Sequence, residues 1–209
     1  MASGCLARVV SSDVRHNFLI HYLAAAAVLL MTPVIFGLAE LDRSMAALPL
    51  ETMPPLMGLI LLTPLLSPEQ NEGILDTVRS KKMSRQLVTG LRVLCSLAVL
   101  AILIAALGGY MKYNSCDVTL GMCAGAFAGA AALGALGFFS SAVTDNVIVG
   151  YMVSVMYFFM NLFLKNKLGR FCLMSMSCNI KGSKPVLAAA ALVLIAAAML
   201  FRRIFRNEQ

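Results

Sequence analysis

Residues 118–144 read VTLGMCAGAFAGAAALGALGFFSSAVT, an unbroken run without Asp, Glu, Lys or Arg. A helix rises about 1.5 Å per residue, so this run covers a hydrocarbon core of roughly 30 Å with residues to spare. Five further stretches also lack those four residue types: 16–39, 52–68, 93–111, 146–164 and 185–201. None alternates apolar and polar residues with period two, and backbone amides cannot be left bare in lipid, so helices are favoured over a barrel. The expected fold is all-α: a polytopic membrane protein forming a single transmembrane domain over 1–209. Its six-helix bundle has spans near 17–39, 51–67, 92–111, 118–141, 146–164 and 185–201.

Composition agrees. Of 209 residues, 60% are hydrophobic and 13% charged, whereas a water-soluble domain carries about 25% charged residues. Too little polar surface is left to coat a soluble globule, and the bilayer is the expected solvent. The net charge of +7 does not indicate nucleic acid, because the basic residues gather at the ends of apolar runs, where headgroups lie. The six cysteines form neither CxxC pairs nor a Cys/His zinc spacing. Cys116, Cys172 and Cys178 fall in or beside the loops expected outside, and a bridge between two of them would leave one over.

Small-residue spacing assigns a role within the longest run. Gly121, Gly125 and Gly129 recur every four residues with alanines between them, which lets another helix backbone approach closely. The second run contains Pro54, Pro55 and Pro64 and is closed by Pro68, so its helix is expected to be kinked or to start late. Ahead of the first run, Leu6, Val9, Val10 and Val14 lie opposite Arg8, Ser11, Ser12 and Arg15 at helical spacing. Residues 1–16 therefore read as an interfacial helix lying along the membrane surface.

With the N-terminus inside and six crossings, ten flanking basic residues fall inside and seven outside, a modest bias toward cytoplasmic N- and C-termini. The external loop 165–184 carries five of those seven. Its Phe171, Leu173, Met174 and Met176 are expected to dip back toward the bilayer.

The densest charges lie in SPEQNEGILDTVRSKKMSRQ, Ser67 to Gln86, within a cytoplasmic loop taken as 68–90. Glu69, Glu72, Asp76 and Arg79 recur at steps of three or four, while Ile74, Leu75 and Val78 occupy another face, as in a short amphipathic helix. Pro68 suits its first turn, the carboxylates its positive end, and Arg79, Lys81 and Lys82 its negative end. Here the sequence resembles the membrane subunits of six-span ABC exporters, the type 2 half-permeases. Glu69, Glu72, Gly73, Ile74, Ser84 and Arg85 match the family's pattern in the loop between spans two and three. The order of elements matches too: a surface helix, six spans, and an extended external segment before the last span.

That resemblance implies a division of labour. The short helix is then a coupling helix, with Glu69, Glu72, Gly73, Asp76, Arg79, Ser84 and Arg85 contacting a separate ABC-type ATP-binding subunit. ATP and Mg would be held by that partner. This chain contains no GxxxxGK[ST] phosphate loop and is expected to bind no cofactor and to catalyse nothing itself. The other implied partners are a second permease copy or a homologous permease, within the lipid of a bacterial plasma membrane. The alternative is a non-transporting scaffold or accessory subunit whose charged loop recruits a cytoplasmic partner. The chain is shorter than the family pattern, its loops are minimal, and its last external loop is more basic.

Other polar residues have plainer readings. Asp145, within Thr144-Asp145-Asn146, reads as a turn residue rather than an intramembrane carboxylate. His16 and His21, five apart, do not share a helix face as a ligand pair would. Tyr157 and Asn161 read as partners in interhelical hydrogen bonds.

Overall fold

A computed structural model describes residues 18–67, 85–164, 171–176 and 183–206. Six helices carry the described chain: α1 (Leu19–Phe36), α2 (Arg43–Leu62), α3 (Arg85–Tyr113), α4 (Leu120–Thr144), α5 (Val147–Phe163) and α6 (Ser183–Arg206). The 3-10 turn Thr63–Leu66 extends α2, and no strand occurs among the described residues. Five of the helices, all but α5, are long and apolar enough to cross a membrane; α5 is apolar but shorter, at 17 residues. The protein is thus all-helical, with the helices of an integral membrane protein. Residues 1–16 and Glu69, Glu72, Gly73, Asp76, Arg79 and Ser84 lie outside the described residues. Arg85 opens α3.

Element boundaries differ from the charge-free runs in one consequential place. The second helix opens at Arg43 rather than near 51, so Glu51 lies two turns inside it. Pro49, Pro54 and Pro55 all sit within this helix. A proline lacks the amide that would bond four residues back, so the carbonyls of Met45, Leu50 and Glu51 lose their usual helical donors. The helix survives because it is held from outside: twelve of its residues are buried, Leu50, Met57 and Leu62 completely. Packing supplies what the backbone ladder lacks.

The middle of the bundle belongs to α4. It packs against α2, α3, α5 and α6, whereas α1 rests mainly on α2. Alanine and glycine make this possible, because two helices approach most closely where neither projects a side chain. A Cβ on Gly58 of α2 would overlap the Ala130 carbonyl of α4, and one on Gly134 would lie 2.9 Å from the Gly58 carbonyl carbon. Each glycine faces the other helix's backbone, so this crossing tolerates no side chain.

Lipid-facing surface lies elsewhere. Ile20, Leu23, Leu30, Val34 and Ile35 on α1 and Ile148, Met152, Met156 and Phe163 on α5 are exposed, the expected state of apolar side chains whose solvent is hydrocarbon. Asp145 caps α4 in the left-handed conformation (φ 52°), and Asn146 opens α5 by accepting the Ile148 amide at 2.9 Å. The turn chemistry of Thr144–Asn146 is what the structure uses.

Candidate functional site: a buried ion pair and the turn it holds

The loops 37–42 and 114–119 meet at one end of the bundle, where the Glu40 amide donates to the Asn114 carbonyl and the Asp117 amide to the Leu41 carbonyl. Below them, Glu51 of α2 faces Lys184 in the first turn of α6. Lys184 Nζ lies 2.7 Å from Glu51 Oε1, with the carboxylate side chain fully buried and the lysine 18% exposed. A lone buried charge in a low-dielectric interior is costly, and the cost is offset only when the partner is close and the remaining lone pairs and protons are bonded.

One short segment, residues 171–176, adds a bond to each member of the pair. Glu51 Oε1 also accepts the Met176 amide at 2.6 Å, and Lys184 Nζ donates to the Leu173 carbonyl at 2.7 Å. From α5, Asn161 accepts the Leu173 amide through Oδ1 at 2.8 Å, and the Tyr157 hydroxyl donates to the Phe171 carbonyl at 2.7 Å. From α6, the Ser183 hydroxyl donates to the Cys172 carbonyl at 2.9 Å. The turn has no strand or helix partner, so its backbone needs such side chains to be buried at all. Cys172, Leu173, Met174 and Ser175 are buried, and Phe171 is exposed. The segment packs into the bundle, and polar tethers from three helices hold it there.

Among the described residues, the long-range bonds of Tyr157 and Asn161 go to the turn rather than to another helix. Neither Cys116 nor Cys172 forms a disulfide among the described residues, and Cys178 lies outside them. Of the three glycines singled out by spacing, Gly125 is where Lys184 and Met176 cross α4: a Cβ there would overlap the Met176 methyl and sit 3.2 Å from Lys184 Cγ. Gly129 is buried with ordinary clearance, 3.7 Å from Leu173 Cδ2, and Gly121 has open space beside it.

No family model, curated protein or solved structure matches this chain.

A second polar group sits deeper and carries no charge. Where the Thr63–Leu66 turn meets α4 and α5, the hydroxyls of Thr63, Ser141 and Ser154 gather around Gly137 and Gly150. Ser154 donates to the Leu133 carbonyl at 3.3 Å. Near the start of α3, buried Arg92 places its guanidinium 5.9 Å from the centroid of the Phe18 ring, a cation-π distance. Among the described residues, no three His, Cys, Asp or Glu side chains converge as a metal site would require.

Sequence reading passed over Glu51 and Lys184 because each borders a charge-free run and was counted as a flank. The available signal was the apolar character of Met45-Ala46-Ala47-Leu48-Pro49-Leu50 ahead of Glu51. Extending the helix back through that stretch puts the carboxylate inside the bundle.

Proposed function

We propose that this chain is the membrane-spanning permease subunit of an ATP-driven, ABC-type exporter, working as a pair of permeases with a separate ATP-binding subunit. The observation that carries this reading is the construction of α2. One helix contains three prolines, holds a buried ion pair near its middle, and leads through the Thr63–Leu66 turn into the charged segment Ser67 to Gln86. Ionisable groups inside a membrane are costly and concentrate on transport pathways. A proline-interrupted helix is the element most easily bent. A force applied at Ser67 would travel roughly 25 Å along this rod to Glu51. The resemblance of Glu69, Glu72, Gly73, Asp76, Arg79, Ser84 and Arg85 to a coupling segment supplies the point where that force would enter.

Co-purification in nanodiscs tests the proposal. The tagged chain is expected to retain an ATP-binding subunit, and Glu72→Ala with Gly73→Leu to abolish stimulated ATP hydrolysis while the complex still assembles. Failure to retain any ATPase in detergent or nanodiscs would favour a scaffold that recruits a cytoplasmic partner and moves nothing.

A further inference from the structure

We propose that residues 171–176 are a lid over the end of the bundle and that the Glu51–Lys184 pair is its latch. The turn is tied to α2, α5 and α6, but not in equal ways. Its contacts to α5 and to Ser183 are neutral hydrogen bonds, whereas Glu51 and Lys184 hold it through charged groups at 2.6 and 2.7 Å and hold each other at 2.7 Å. Charge-assisted bonds are the stronger kind. These two residues also sit on different helices, the middle of α2 and the first turn of α6. A bend or tilt of α2 relative to α6 would separate them and strain both tethers to the turn together. The four atoms Glu51 Oε1, Lys184 Nζ, Met176 N and Leu173 O, with the Lys184 stem crossing Gly125, thus link helix geometry to lid position.

Burial fits a lid rather than a permanent core segment. Among the described residues the turn belongs to no α-helix or strand and is held by five side-chain tethers, so their release frees it from α2, α5 and α6 together, as a segment that opens locally requires. Lys184, still 18% exposed, can reach water or a headgroup by a small movement of its stem. Glu51 cannot, so the pair separates only when the carboxylate's surroundings change. This inference rests on reading this end as part of a transport pathway, yet it is testable without any transport assay.

The lid contains its own reporter, since the Cys172 side chain is fully buried beneath it. In full-length chain in nanodiscs, Cys5, Cys95, Cys116, Cys123 and Cys178 are replaced by alanine and the rate of Cys172 alkylation by a charged maleimide is measured. The inference expects slow labelling in this background and acceleration of about tenfold or more in Glu51→Gln and in Lys184→Met, because opening becomes easier. The charge swap Glu51→Lys with Lys184→Glu restores the attraction between the two side chains but leaves the Met176 amide without its acceptor and the Leu173 carbonyl without its donor, and it is expected to label as fast as the single variants. A return to the starting rate would mean that the pair acts without its bonds to the turn and would overturn the latch. A parallel background keeping only Cys116, buried at the same end but held by neither partner, is expected to label slowly in every variant. Unchanged Cys172 labelling in both single variants would overturn the latch, as would equal acceleration of Cys172 and Cys116, which marks general loosening. Loss of ATPase association with the labelling pattern intact would instead sink the transport reading and leave the lid standing.

Discussion

Two seams hold this bundle together, and they are built on opposite principles. Where α2 crosses α4, Gly58 and Gly134 bring backbone against backbone with nothing polar between. Where α2 meets α6 and the 171–176 turn, charges and hydrogen bonds hold groups that could not otherwise be buried. The first seam depends on the absence of atoms and has one favoured arrangement. The second depends on paired groups, of which Lys184 is still 18% exposed and Glu51 fully buried, so it gives way only when the surroundings of the carboxylate change. One helix, α2, takes part in both, latched near its middle at Glu51 and fixed nearer its C-terminal end at Gly58.

Substitutions that break this contrast should rank accordingly. Lys184→Met leaves the Glu51 carboxylate buried without its cation and is expected to cost the most, about 3–5 kcal/mol, read as a lower midpoint in SDS or thermal unfolding of the nanodisc-reconstituted chain. Gly58→Ala comes next. Its Cβ would overlap the Ala130 carbonyl, a backbone atom that cannot rotate away, and forced separation of the two helices is expected to cost about 1–3 kcal/mol by the same assay. Gly121→Ala should do the reverse. Open space surrounds that position, so the better helix former is expected to raise stability by up to about 1 kcal/mol.

These three also show what could be read from sequence. The helices were legible because lipid demands long charge-free runs, and 118–144 does become the buried centre of the bundle. The α2–α4 seam was not, because four-residue spacing within one helix names a stripe without naming its partner. Gly121, Gly125 and Gly129 share a spacing, yet one meets open space, one a lysine stem and one ordinary apolar contact. Gly58 and Gly134 belong to no such repeat and make the closest crossing. Glu51 was hidden by the opposite difficulty. Charge-free runs treat every carboxylate as a boundary, and only the burial of Ala46, Ala47 and Leu50 ahead of it shows that the helix, and the protein interior, begins earlier.

A double-mutant cycle on Glu51 and Lys184 tests the centre of this account most directly. Unfolding free energies of Glu51→Gln, Lys184→Met and the double variant are compared with the unmodified chain under one set of conditions. A genuine buried pair requires the double variant to lose less than the two single losses added together, with a coupling of about 1–3 kcal/mol. Losses that add to within about 0.5 kcal/mol would mean that the two side chains do not hold each other, and the latch, with the turn it secures, would have to be abandoned.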